Sequence, residues 1–284
     1  MLNVFANKRK LNKLENYLKH SNGYWGIAAK NLSNNKTYYH NENKTFGIAS
    51  VIKLVIAATI LRKVEMREIC LSDKIQVCKK DKVIGTGVLK FLKNLDKITL
   101  YDTMFLMIAY SDNTATNMCL KIVTKKEVNL FLKANNLYDT SLKEKLISKQ
   151  MIRDIITKKK KHIFGSSTPK DILLFLERLH KTTLLDKRSC KILLNMMANQ
   201  QIDYRFSRYL YFNENLLIGS KTGEITYPKI LCNVGFIINN GEKIIISIFV
   251  KDIKIKKMSH FHLDHPISKN IGVAVKDLFF YLSN

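Results

Sequence analysis

The stretch Phe46-Gly-Ile-Ala-Ser50-Val-Ile-Lys53-Leu-Val-Ile-Ala-Ala-Thr-Ile-Leu61 places a serine and a lysine three residues apart at the head of a run that is apolar on every side. A helix with no polar face has to be buried all round, so this one is predicted to run through the centre of the molecule. If it opens near Ser50, the i, i+3 spacing stacks Lys53 one turn along the same face, beside the Ser50 hydroxyl. Burial disfavours the charged ammonium and leaves part of the lysine as a neutral amine able to take the serine's proton. Ser50 is then a candidate nucleophile and Lys53 its base. The same spelling recurs at Ser33-Asn-Asn-Lys36 and Ser167-Thr-Pro-Lys170. The first reads as a polar turn between strands, and the second as a helix start with Thr168 at the N-cap and Pro169 behind it; neither buries its lysine.

A chain of 284 residues with 46% hydrophobic content can bury a large core, as one big domain or two interleaved lobes. The net charge is +25, but only eight of the 48 basic residues are arginine. Without guanidinium forks or interleaved aromatics, the lysine excess argues against a nucleic-acid partner. Cys70, Cys78, Cys119, Cys190 and Cys232 are odd in number and match no metal-ligand spacing, which points to free thiols and calls for no disulfide, metal or cofactor. The longest apolar run, Leu54 to Leu61 broken only by Thr59, is too short to span a bilayer. Met1 to Lys10 has no apolar core for a signal peptide, so the expectation is a soluble monomer, cytoplasmic as it stands or secreted (periplasmic) where a leader has been removed.

Along the chain, Leu11, Leu14 and Leu18 give a short amphipathic helix within Lys8–Lys19, and Tyr24–Leu32 with Thr37–His40 read as a hairpin leading to Ser50. Gly85-Thr-Gly87 is a turn, since dinucleotide binding would need a third glycine and a preceding strand. Thr99 to Asp102 forms a variant capping box before an apolar helix, Ser111-Asp112-Asn113 interrupts it, and further helices follow over Thr114–Val123 and from the capping box Thr124-Lys-Lys-Glu127 to Asn135. Tyr138 to Thr168 is polar and lysine-rich, a loop or loose helix with Lys158–Lys161 as a solvated charge run. Pro169–His180 and Ser189–Met197 are helices; Leu216–Lys221, Lys229–Ile238 and Lys243–Asp252 are strands; a helix follows Pro266. The predicted architecture is α/β (α+β). An antiparallel sheet from both chain ends (1–48 and 212–284) is flanked by terminal helices, and an all-helical lobe (49–211) is inserted between them.

Three motifs stand in order: Ser50-Val-Ile-Lys53, Ser111-Asp-Asn113 on an inter-helix connection, and Lys221-Thr-Gly223 at the end of a strand. Their order and placement resemble the class A β-lactamases and their penicillin-binding relatives, from about Tyr24 to the C-terminus. Met107-Ile-Ala-Tyr-Ser-Asp-Asn-Thr-Ala-Thr-Asn117 and Ser167-Thr-Pro-Lys-Asp171 are similar to that family as well. The resemblance implies acyl-enzyme chemistry on a β-lactam or cell-wall peptide. Ser50 attacks the carbonyl, Lys53 accepts its proton, Ser111 relays it to the departing nitrogen, and Asn113 holds a substrate amide. Lys221 and Thr222 meet the substrate carboxylate, Gly223 lets the substrate lie against the strand, and the backbone N–H groups of Ser50 and Glu224 hold the oxyanion.

The family's Glu-x-x-Leu-Asn motif, whose glutamate activates the deacylating water, has no clean counterpart here. Glu144 and Asp154 are the candidates, Asp154 being nearer the expected distance from Thr168, and deacylation is expected to be slow. Lys229 is a candidate for the arginine that partners the substrate carboxylate in the family. His260-Phe-His262-Leu-Asp264-His265 has the spelling of the unrelated zinc β-lactamase fold, yet no further histidine or cysteine follows it, so it reads as a loop. The alternatives are a D-alanyl-D-alanine carboxypeptidase or esterase of the penicillin-binding type, and a non-catalytic basic binding protein on the same scaffold.

Overall fold

Five strands from the two ends of the chain form one antiparallel sheet in the computed structural model, which describes residues 14–202, 204–210, 215–255 and 264–283. Residues 14–20 are helical (α1), so Leu14 and Leu18 of the predicted N-terminal helix are in place, while Leu11 lies outside the described residues. Strands β1 (Tyr24–Asn31), β2 (Thr37–His40) and β3 (Phe46–Gly47) precede the central helix α2 (Lys53–Glu65). A two-stranded ladder, β4 (Lys74–Gln76) and β5 (Lys97–Thr99), leads into α3 (Leu100–Ala109), α4 (Asn113–Ile122) and α5 (Lys125–Ala134). Then come β6 (Ser141–Leu142), α6 (Lys149–Ile156), β7 (Gly165–Ser167), α7 (Pro169–His180), α8 (Lys187–Ala198), β8 (Leu217–Ile225), β9 (Ile230–Asn239), β10 (Glu242–Lys251) and α9 (Pro266–Leu282).

The sheet order is β2-β1-β10-β9-β8, with β10 at the centre, paired to β1 from Tyr24↔Lys251 to Asn31↔Ile244. Both faces of β10 are covered, which explains its nearly unbroken isoleucine run. Ile244, Ile246, Ile248 and Val250 pack on α9 and α1, whereas Ile245 and Phe249 join the core of the helical side. α2 is walled by α3, α4, α5 and α8, and Lys53 through Leu61 are all buried. An all-apolar helix finds no other place in a single chain of this size.

Three expectations need correction. The helix does not open at Ser50: a 3₁₀ turn, Ala49–Ile52, precedes α2. Lys221-Thr-Gly223 does not end a strand, because β8 runs on to Ile225. The segment from Tyr138 to Thr168 is more ordered than its lysines suggest, since β6, β7 and β3 form a three-stranded sheet and Ser148 caps α6 by accepting from the Met151 N–H. What ties this segment down is Asn117. Its Nδ2 donates to the Ile147 carbonyl at 2.9 Å and its Oδ1 accepts from the Ile147 N–H at 2.8 Å.

Asn117→Ala leaves both backbone groups of Ile147 without their partner, so stability should fall by roughly 2–4 kcal/mol. Urea denaturation measures the loss, and amide exchange should quicken first between residues 141 and 167.

Candidate active site

Ser50 is half-buried in the 3₁₀ turn, one residue after Ala49, which is held at φ +46°. Such a conformation costs of order 1–3 kcal/mol for a non-glycine residue and persists only where the surroundings fix it. The Ile48 N–H donates to the Gly165 carbonyl at 2.9 Å on one side of the turn. On the other lies β8: a Cβ on Gly223 would stand 2.7 Å from the Ile48 carbonyl oxygen and 3.2 Å from the Ser50 nitrogen. Gly223 is therefore required by the turn, and it brings the Ser50 N–H beside the edge strand β8.

Lys53, the first residue of α2, is wholly buried. Its Nζ donates to the Ser111 carbonyl at 2.7 Å, to Ser111 Oγ at 3.2 Å and to Asn113 Oδ1 at 3.0 Å. Helical spacing alone puts this amine beside the Ser50 hydroxyl; among the described residues its hydrogen bonds go to the 111–113 connection. Burial pulls its pKa from the usual lysine range down to about 7, with Asp112 drawing it partly back up. A shift of that size is worth roughly 5 kcal/mol, about what two or three buried isoleucines return.

The 111–113 connection is held by the turn around Gly85-Thr-Gly87. Thr86 Oγ1 donates to the Ser111 carbonyl at 2.7 Å, the Asn113 N–H donates to the Thr86 carbonyl at 3.1 Å, and Asp112 Oδ2 accepts from the Leu89 N–H at 2.8 Å. Asp112 also caps α4 through Ala115. Gly87, at φ +104°, passes so close that a Cβ there would lie 2.2 Å from the Asp112 carboxylate. Both glycines of Gly85-Thr-Gly87 serve contact with this connection, and Thr86 is a site residue that the sequence reading missed.

A cavity of about 280 Å³ is lined by Ser50, Ser111, Asn113, Thr86, Thr222 and Glu224, together with the apolar Ile147, Met151, Ile152, Ile155 and Phe164. Lys221 is fully buried beside it, donating to the Thr222 carbonyl at 2.9 Å. Burial, and then the charges of Lys53 and Arg205, hold its pKa well below the lysine range. Glu224 pairs with Arg205, whose side chain is also fully buried. Nothing in the local sequence marks Arg205 as a site residue. Lys229, the candidate carboxylate partner, donates to the Ile255 carbonyl outside the cavity lining.

Neither acid expected to activate water lines the cavity. Asp154 accepts from Gln150 at 2.6 Å and meets His162 Nε2 at 2.9 Å, and these bonds keep its carboxyl below the usual range. Glu144 lies on the other side of the same imidazole, 3.8 Å from Nδ1. The apolar stripe Met151, Ile152, Ile155 and Ile156 was readable as helical spacing, but the surrounding lysines disguised it. Of the histidine-rich stretch, His260 and His262 lie outside the described residues. Asp264 pairs with Lys269 at 2.9 Å, and His265 caps α9 by accepting from the Ile267 N–H.

Comparison with known proteins bears on this geometry. The model of the beta-lactamase enzyme family matches residues 8–278. Beta-lactamase VEB-1 of Pseudomonas aeruginosa is 27% identical over 263 residues, 88% of this chain and 86% of that protein. The crystal structure of a beta-lactamase from Sphaerobacter thermophilus superposes with a TM-score of 0.82 at 25% identity, covering 95% of this chain and 96% of that one. PBP-A, solved as a point mutant in an acyl-enzyme complex with penicillin G, superposes at 0.76 with 19% identity, over 95% and 97% of the two chains, and so shares the fold.

Gly223→Ala forces a methyl group against the Ile48 carbonyl, and the expected loss is roughly 1–3 kcal/mol. Urea denaturation reads it; a neutral result would mean that β8 can move away from the Ser50 turn without cost.

Proposed function

The chain belongs to the beta-lactamase enzyme family and is a serine hydrolase of the β-lactamase type; from that premise we propose that Ser50 takes the acyl group of a β-lactam, with Lys53 as its base. One observation carries the assignment: a lysine with no access to water sits three residues after the serine and is bonded to Ser111 and Asn113. A neutral Lys53 amine accepts the Ser50 proton as Oγ bonds to the carbonyl carbon. The C–N bond of the ring then breaks, and Ser111 Oγ passes the proton to the departing nitrogen. The backbone N–H groups of Ser50 and Glu224 are the oxyanion donors in this reading, supported by the close approach of Gly223 to the turn. Asn113 holds the acyl amide, and Thr222, backed by Lys221, lies on the leaving-group side. No helix among the described residues is long and apolar enough to cross a membrane.

Hydrolysis of the acyl-enzyme needs a base within reach of Ser50. Ile147, Met151, Ile152 and Ile155 line the cavity and cannot deprotonate water, and neither Glu144 nor Asp154 lines it. The same observation favours a second reading, a penicillin-binding enzyme whose adduct persists. In both readings acylation outruns release.

Mass spectrometry with a penicillin should show a stoichiometric adduct on the wild type and none on a folded Ser50→Ala. If Ser50→Ala labels as the wild type does, the nucleophile is elsewhere. Because burial lowers the Lys53 pKa to about 7, the neutral amine is the minor form below that pH and the dominant form above it. The acylation rate should therefore climb between about pH 6 and 8 and then level off; a rate that falls across this window would require the ammonium form. Glu144→Gln and Asp154→Asn should leave adduct decay within about twofold of wild type, since side chains off the reaction path seldom matter more. A slowing of about tenfold in either would restore that residue as the base.

A further inference from the structure

The segment from Lys82 to Leu92 is a loop folded back on itself. Lys82 Nζ donates to the Leu92 carbonyl and joins its ends, Lys90 Nζ donates to the carbonyls of Gly85 and Gly87, and the Phe91 N–H donates to the Val88 carbonyl at 2.9 Å. Buried Val83 and Leu89, with the bonds of Thr86 and the Leu89 N–H to the 111–113 connection, hold it to the helical side. The other apolar side chains of the loop stand in solvent: Phe91 is 70% exposed, Ile84 63%, and Val88 and Leu92 are exposed as well. A single exposed apolar residue is ordinary, but four on one firmly held loop mark a contact surface. Charge surrounds them. Six lysines and two aspartates lie between Lys79 and Lys97, and one of the aspartates, Asp81, is buried and paired with Lys121. Lys79, Lys80, Lys93 and Lys97 are exposed, and the Lys90 ammonium lies 4.6 Å from the centre of the Phe91 ring.

We propose that this loop docks the protein on the surface of an anionic lipid bilayer, with Phe91, Leu92, Val88 and Ile84 entering the boundary between headgroups and acyl chains. Hydrocarbon alone would suit any apolar partner, so the lysines decide: they require a surface of negative charge around the place where the apolar side chains are buried. A bilayer offers both in one surface, phosphate outside and hydrocarbon just beneath. A soluble polyanion satisfies the lysines but leaves Ile84, Val88 and Leu92 in water. The net charge of +25 adds attraction for the whole molecule, felt over about a Debye length. Ile84 also lines the cavity, so docking through this loop sets the cavity beside the lipid surface. None of this depends on which residue is acylated.

The test is co-sedimentation of the full chain with lipid vesicles. Vesicles of phosphatidylglycerol and phosphatidylcholine in equal parts should retain it, vesicles of phosphatidylcholine alone should not, and added salt should weaken the retention. Phe91→Ser changes no charge and touches no lining residue's identity, so folding should survive while the partition coefficient falls about tenfold or more. Phe91→Trp puts a reporter at the same point against the fixed background of buried Trp25; its fluorescence should shift to the blue on anionic vesicles and be quenched by lipids brominated in their acyl chains. Retention that Phe91→Ser leaves unchanged means that diffuse charge alone binds, and overturns the proposal. Equal retention on neutral vesicles, no retention on anionic ones, or Phe91→Trp fluorescence that vesicles do not move overturns it as well. Self-association in the absence of lipid that Phe91→Ser abolishes would assign the loop to a second copy of the chain instead. If Phe91→Ser does not fold, the Phe91→Trp measurement decides.

Discussion

A lysine cut off from water must find oxygen, and the helical side of this protein is arranged around that demand. Lys53 starts a helix whose buried stretch through Leu61 is otherwise apolar but for Thr59, so its acceptors have to come from another element. They come from Ser111, in the connection between α3 and α4 and at φ +52°, and from Asn113, the first residue of α4. Thr86 and the Leu89 N–H hold that connection in turn. If any of these contacts is lost, the buried amine loses part of its compensation, which couples packing of the central helix to the chemistry at its head.

The sheet meets this arrangement at one point. β8 is an edge strand, so its outer backbone groups are open, and Gly223 is bare enough to lie on the Ser50 turn. Lys53, Lys221 and Arg205 are all fully buried in this region. Three adjacent cations cannot all keep their charge in low dielectric. The molecule resolves the conflict by depressing both lysines and pairing Arg205 with Glu224. What remains exposed to a bound molecule is hydroxyls, one amide, the Glu224 carboxylate and hydrocarbon.

α6 separates the apolar side chains that line the cavity from its own acid. Its Met151, Ile152 and Ile155 line the cavity that Ser50 also lines, while Asp154 bonds to His162 and Gln150 outside that lining. Asn117 fixes the start of the segment at Ile147, so this is a built wall and not an accident of a loose loop.

Periodicity and capping were enough to locate the buried helix, the hairpin, the three C-terminal strands and the helix starts at Thr99, Thr124 and Thr168, because those signals are local. The motifs Ser50–Lys53, Ser111–Asn113 and Lys221–Gly223 were legible for the same reason, each being a short run of fixed spacing. Pairing across the chain was not. Gly85-Thr-Gly87 reads only as a turn because its partner lies at Asp112, and Arg205 reads as one basic residue among many because its partner is Glu224. Asp154 and Glu144 qualify as candidate bases by their place in the segment before Thr168, while only the fold shows that both meet His162 outside the cavity lining. Sequence spacing determined which groups could react; tertiary packing decided which ones meet, since burial and charge compensation depend on neighbours that chain order does not reveal.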